Sequence, residues 1–238
     1  MLDGDVHIAT LRVRTPRVDG PAVRLRLARL LNTVDLNPSG MPPAAVLLVR
    51  RLADPRPGKI TSGRTAPRVD PAWEAAVRQE LAGYYRQAAR PRRGIIIGNP
   101  EAVVFADETE MLACLSLALA KGQERLQQWW WQTVLRNLGV GPNLADTWQR
   151  RPAAVPAVLY HLVTWNEAER VAERLAPAEA LALIQALTQA YELPDLTLSR
   201  VSGRSPPGDH DQPPRRQGRP RPGARDRPAQ HQGRPRPE

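Results

Sequence analysis

An Arg- and Pro-rich segment at the end of the chain limits what the chain can fold into. Residues 201–238 contain nine arginines, nine prolines and four acidic side chains, so they carry half of the formal net charge of +10. A segment with so little apolar surface cannot offset the backbone entropy lost on folding. We therefore predict a disordered basic tail over residues 199–238, which is dispensable for folding, and a folded body in residues 1–198.

The tail repeats one short motif. Gln217-Gly218-Arg219-Pro220-Arg221-Pro222 returns fifteen residues later as the same six amino acids. Such a segment can be an inert solubilising tail, a weak electrostatic tether to nucleic acid or an acidic protein, or a Pro-rich ligand. The candidate tether residues are Arg215, Arg216, Arg219, Arg221, Arg234 and Arg236.

Composition and hydropathy exclude several classes for the remaining residues. The single cysteine, Cys114, rules out an intramolecular disulfide framework and a cysteine-rich zinc site. The longest weakly polar stretch, 112–120, has half the length that a membrane span needs. Residues 1–5 lack the basic and apolar regions of a secretory signal. We expect a cytoplasmic protein that does not span a membrane.

Hydrophobic periodicity predicts an α+β fold whose first part, residues 1–122, is a small α/β unit. Helices are expected at 21–31, from the cap Asp70 to before Pro91, and from the capping pair Asp107 and Glu110 to Gly122. Strands are expected at 6–14, 45–49, 95–97 and 102–105.

Beyond Gly122 the strand signal almost disappears, so residues 123–198 are predicted to form a domain of short helices. Asn166, followed by Glu169, is predicted to cap one of these helices. The expected helical stretches are 123–138, 144–150, 152–165, 167–175 and 177–191.

Three consecutive indoles, Trp129, Trp130 and Trp131, are the most conspicuous candidate site. Neighbouring helical positions point about 100° apart, so three indoles in a row cannot line one pocket. At least one is expected to face outward or to meet a neighbouring domain. We predict that the cluster combines core packing with a protein interface, while stacking on a nucleic-acid base stays an alternative.

The residues that could be catalytic or bind a metal are better explained by structural roles. Cys114 lies between apolar residues, where a free cysteine packs as a small hydrophobic side chain. Asp107, Glu108 and Glu110 fall in the first turn of a predicted helix, where capping explains them better than metal binding. The sequence contains neither a Gly-x-Gly-x-x-Gly nor a Gly-Lys-Ser/Thr motif. We predict no catalytic residue, cofactor or metal.

Several motifs over residues 6–190 carry a resemblance to a group of bacterial proteins. They are His7-Ile8-x-x-Leu11-Arg12-Val13, Leu27-x-x-Leu30-Leu31, Leu36-x-Pro38, the run from Met41 to Leu52, Phe105-Ala106-Asp107-Glu108 and Trp129-Trp130-Trp131. In these motifs the chain resembles uncharacterised proteins associated with contractile injection (phage-tail-like) systems. The start of the chain is also similar to the start of the tape-measure proteins of these systems, although the chain lacks the extended helices that a tape-measure protein needs.

The resemblance implies a non-enzymatic structural or assembly protein of a contractile particle, which acts through contacts with other particle subunits. The alternative is a nucleic-acid-associated protein tethered by its Arg/Pro-rich tail. An unrecognised enzyme is a third hypothesis, which a deep pocket with convergent polar groups would favour.

Overall fold

The structure is a computed structural model, and it describes residues 8, 25, 29–31, 33–57, 70–94, 96, 98–122 and 126–194. The chain divides into two units, Met1–Leu196 and Thr197–Glu238, and every described residue belongs to the first. The predicted tail therefore lies outside the described residues. The same is true of the predicted strand at 6–14 apart from Ile8.

A two-stranded antiparallel sheet is built from β1, Val46–Val49, and β2, Ala102–Phe105. Val46 lies opposite Phe105 in this register. On the other edge of β2, the amide of Ala89 donates to the carbonyl of Ala102 over 3.0 Å, and Val104 donates to Ala89 over 2.9 Å. Strand β2 thus makes backbone hydrogen bonds along both of its edges, and all four of its residues are buried. The strands predicted at 45–49 and 102–105 are confirmed.

The first complete helix among the described residues, α1, runs over Pro71–Gln87 and begins as its sequence predicts. The Asp70 carboxylate accepts a hydrogen bond from the amide of Ala72, and Pro71 occupies the first helical position. Trp73 and Val77 bury one side of α1 against Leu36. This small cluster is distinct from the main core.

Helix α2, Glu108–Lys121, is the central element of the main core. Asp107 caps it, and nine of its fourteen residues are buried. It ends at Gly122, whose φ of 104° is strained for residues with a side chain beyond hydrogen. An apolar helix of this kind needs covering on several sides, and the following helices supply that cover.

The mixed α+β class is confirmed. After α2, the described helices have five to fourteen residues. One 3-10 turn, Pro91–Arg93, precedes α2 and another, Pro152–Ala154, follows it. The helices are α3, Trp129–Leu138; α4, Leu144–Arg150; α5, Val155–Thr164; α6, Ala168–Ala172; and α7, Pro177–Ala190. Ile96 is not in a strand, and its neighbours 95 and 97 lie outside the described residues.

Asn166 does not cap α6, which corrects the sequence prediction. The position before α6 is Glu167, and no side chain there makes a capping hydrogen bond. Asn166 instead has a φ of 57° and ends α5. Its amide donates to Val163 and the amide of Glu167 donates to Leu162, which is the Schellman pattern. Asparagine tolerates this left-handed backbone better than most residues do.

One hydrophobic cluster joins both sides of the domain boundary predicted at residues 122 and 123. It contains Val103 of β2 and Leu115 of α2 together with Trp130, Trp148 and Leu162 from the later helices. Within the described ranges, no helix is long and apolar enough to cross a membrane. The core thus places the later helices around α2.

Candidate protein-interaction surface

Helix α5 packs directly on α2. Val155, Val158 and Leu162 of α5 are buried, with Leu162 at 0 % exposure. Their spacing puts them on one face of the helix, so the opposite face points away from the core.

A chain of polar side chains fixes the rotation of α5 about its axis. Thr109 donates its hydroxyl hydrogen to the Asp107 carboxylate over 2.7 Å, and the Thr109 oxygen lies 3.1 Å from His161 Nε2. Because that hydroxyl hydrogen is already used, the hydrogen bond requires His161 to donate from Nε2. His161 is therefore held toward α2, which turns its neighbour Tyr160 toward solvent.

The surroundings of the Asp107 carboxylate favour its ionised form. Burial alone would raise its pKa. The hydrogen bonds from the Glu110 amide and the Thr109 hydroxyl, together with the nearby charge of His161, outweigh burial, so the pKa is lowered from its ordinary value. Asp107 is a charged helix cap, and the predicted cap is confirmed by the 2.7 Å bond from the Glu110 amide. The Glu110 carboxylate bonds the amide of Ala106 instead of that of Asp107.

The other acids of this turn are also engaged in structural contacts. Glu110 accepts from the amide of Ala106 and lies 3.9 Å from Arg92, whose guanidinium sits 5.3 Å from the centre of the Trp165 ring. Glu108 forms a 3.5 Å ion pair with Arg151. Over the described part of the chain, no group of three or more His, Cys, Asp or Glu residues is arranged to hold a metal ion.

Cys114 is buried in α2, and its surroundings disfavour the thiolate. Burial, and then the negative charge of Glu110, raise the pKa of the thiol to about 12, while Arg92 acts in the opposite direction with a smaller effect. The thiolate is the reactive form of cysteine. We expect a disulfide reagent to label native Cys114 slowly and to label it rapidly in denaturant. Rapid labelling of the native protein would contradict this placement.

The three indoles separate into two core residues and one partly exposed residue. Trp130 is 1 % exposed and Trp131 is 3 % exposed, with the Trp131 ring 5.7 Å from Phe105 of β2. Trp129 is half-buried and donates its ring nitrogen hydrogen to the carbonyl of Pro100 over 2.9 Å. Trp130 and Trp131 therefore belong to the core, so the predicted interface falls to Trp129. For Trp129 it stays a prediction.

The outer surface of α5 is apolar and exposed. Its apolar members are Pro156, Ala157, Tyr160 and Val163 of α5 and Ala153 of the preceding 3-10 turn, which we call the α5 face. The exposed Thr164 lies among them, and its hydroxyl donates to the carbonyl of His161 over 2.7 Å. Tyr160 is 69 % exposed and Val163 is 64 % exposed. These are large fractions for apolar side chains placed together on one helix face.

The α5 face has no charged residue in it or beside it in the sequence. The fifteen residues from Pro152 to Asn166 contain no Asp, Glu, Lys or Arg, in a chain with 24 % charged residues. The exposed side of α6, by contrast, carries Glu169 and Arg170. A helix that is apolar all round is normally covered on all sides. The run of fifteen residues without charge is visible in the sequence and indicates this surface. Our sequence predictions did not single out the surface.

A neighbouring aromatic residue extends this surface. The Tyr191 hydroxyl, at the end of α7, donates to the carbonyl of Ala153 over 2.7 Å. Tyr191 and the nearby Leu193 are about half exposed. The apolar surface therefore continues from α5 onto the end of α7.

Comparisons of the chain with protein-family models, with curated proteins and with solved structures find no match.

Charge is balanced over the described residues. They carry fifteen Arg or Lys side chains and fifteen Asp or Glu side chains. The formal excess of +10 therefore comes from residues outside the described ranges. The predicted tether residues, Arg215, Arg216, Arg219, Arg221, Arg234 and Arg236, also lie outside those ranges.

Proposed function

We propose that this protein is a non-enzymatic structural or assembly protein that acts through protein contacts made by the α5 face. The observation that carries the proposal is the exposed, charge-free side of a helix whose other side is buried on α2. Protein interfaces are depleted of charge at their centre and enriched in tyrosine and other aromatic residues. Tyr160, at the middle of the face, fits the position of an energetically dominant residue.

We further propose that the contacts serve the assembly of a contractile, phage-tail-like particle. Support comes from the sequence motifs in which the chain resembles proteins associated with such systems. One of these motifs, Phe105-Ala106-Asp107-Glu108, supplies the end of β2 and the cap of α2. The partners would then be other subunits of the particle.

The alternative is attachment to nucleic acid through the Arg/Pro-rich tail. It is favoured by the position of the excess positive charge outside the described residues. Contacts of this kind are independent of sequence and weaken steeply with salt. Binding through the α5 face should depend little on salt, because that face carries no charge.

Replacing Tyr160 with Glu tests the proposed function. We expect Tyr160→Glu to remove proteins that co-purify with the full-length chain from its native host, because a carboxylate would have to be desolvated in the contact. The same charge introduced at exposed Gln149 of α4, as Gln149→Glu, is the matched control and should leave the co-purified proteins unchanged.

Thermal melting of both variants separates binding from folding. The mostly exposed Tyr160 should tolerate Glu with little change in stability. If Tyr160→Glu folds normally and retains the same partners as the unmodified chain, the α5 face does not carry the function.

A further inference from the structure

We infer that the folded part of the chain has a second binding surface, which contacts the phosphate backbone of a nucleic-acid duplex. It lies at the end of α1 and around the 3-10 turn that follows. We call it the basic surface, and its members are Arg86, Arg90, Arg92 and Arg93. The inference rests neither on the α5 face nor on the Arg/Pro-rich tail.

The charge of this region is positive without compensation in the sequence. The twenty residues from Leu81 to Pro100 contain four arginines and no acidic residue. The other described residues carry eleven basic and fifteen acidic side chains, so the overall balance of charge conceals a local excess. A surface with one sign of charge attracts partners of the opposite sign.

The 3-10 turn holds three of these arginines close together. The amide of Arg93 donates to the carbonyl of Arg90 over 2.9 Å, which closes the turn. The turn is fixed beside β2 because Ala89, just before it, bonds to that strand. Within the described ranges, Arg86, Arg90 and Arg93 have no ion-pair partner. Their charge is therefore not neutralised by the described side chains.

Arg92 is the restrained member of the basic surface. Its guanidinium lies 5.3 Å from the centre of the Trp165 ring and 3.9 Å from the Glu110 carboxylate. Its side chain is nevertheless 54 % exposed, so it can contact an anion from its open side. A side chain that is already restrained loses less conformational freedom on binding.

A nucleic-acid duplex fits this surface better than an acidic protein does. Guanidinium groups form paired hydrogen bonds with phosphate oxygens. Protein surfaces intersperse both signs of charge, whereas a DNA duplex carries one negative charge per about 1.7 Å of its axis. The Trp165 ring is covered by Arg92, so it is not available to stack on an unpaired base. These features favour contacts to the phosphates, independent of base sequence.

Fluorescence anisotropy of a short labelled DNA duplex with the full-length protein tests the inference. Arg90→Glu combined with Arg93→Glu should weaken binding about tenfold or more near physiological salt. The slope of log affinity against log salt should also fall by about 1.8, because each phosphate contact contributes about 0.9.

The matched control is Arg136→Glu combined with Arg150→Glu. It changes the net charge by the same amount at exposed arginines of α3 and α4, and the tail is the same in both variants. Because distant charges are screened by salt, we expect the control to weaken binding less than about threefold. If circular dichroism shows that Arg90→Glu disturbs the fold, Arg86→Glu with Arg93→Glu replaces it, since both residues are exposed.

Each outcome decides the inference. Equal weakening by the two double variants would show that only net charge matters and would overturn it, and so would unchanged binding of the Arg90 and Arg93 variant. Labelled polyglutamate that binds as tightly as the duplex and is lost with the same substitutions would assign the surface to an acidic protein instead. The proposed function of the α5 face is tested separately by Tyr160→Glu, so the two can fail independently.

Discussion

Replacing Trp130 with alanine is expected to lower the free energy of unfolding by about 3–5 kcal/mol, the usual cost of removing a large buried aromatic side chain. Trp130 is 1 % exposed and lies in the main core, where truncation leaves a cavity. Its ring nitrogen has no hydrogen-bond partner among the described residues, so the expected loss is one of packing. Urea unfolding monitored by circular dichroism measures the change.

The neighbouring Trp129 provides the matched comparison. Trp129→Ala removes a half-buried ring and its hydrogen bond to Pro100, and we expect a loss of about 1 kcal/mol. Comparable losses for the two variants would show that adjacent indoles are not divided between core and surface. A loss below about 1 kcal/mol for Trp130→Ala would contradict its place in the core.

Replacing Leu162 with alanine should cost about 2–5 kcal/mol of folding free energy, because Leu162 is fully buried between α5 and its neighbours. Val163, the next residue, is 64 % exposed on the α5 face. Val163→Ala should change the folding free energy by no more than about 0.5 kcal/mol. The two positions thus test whether folding and association use opposite faces of one helix.

The measurement is urea unfolding of both variants at one low protein concentration, since any association adds to apparent stability. Val163→Ala should instead reduce the proteins that co-purify with the full-length chain from its native host. A large loss of monomer stability with Val163→Ala would show that α5 is covered by its own chain on both faces. An undiminished stability with Leu162→Ala would show that α5 is not packed on α2.

Local signals predicted many of the elements. Helix α1 follows from the Asp70 cap and the first-turn Pro71, and α2 follows from Asp107 and a terminal Gly122. These signals act within one turn of backbone, so they can be read without knowing the rest of the fold. Asn166 was misassigned because an asparagine between two helices can cap the second or end the first. The left-handed backbone that ends α5 decided between them.

The candidate surface was harder to predict. The indole triplet was conspicuous, yet burial of Trp130 and Trp131 depends on which elements cover α3. Tyr160 and Val163 were not singled out, because an apolar helix reads the same whether its second face is covered by the same chain or left open. The missing charges between Pro152 and Asn166 were visible, but exposure was not.

The sequence by itself determined the starts of α1 and α2, the strands at 45–49 and 102–105 and the mixed class, because capping, proline and hydrophobic periodicity act locally. Only the tertiary structure decided which apolar residues are buried and which remain exposed. Burial of apolar surface is favourable whichever segment of the chain covers it, so the pattern of one segment does not show whether it is buried. The bond between Thr109 and His161, fifty-two positions apart, helps to set that outcome by turning one side of α5 inward and the α5 face outward.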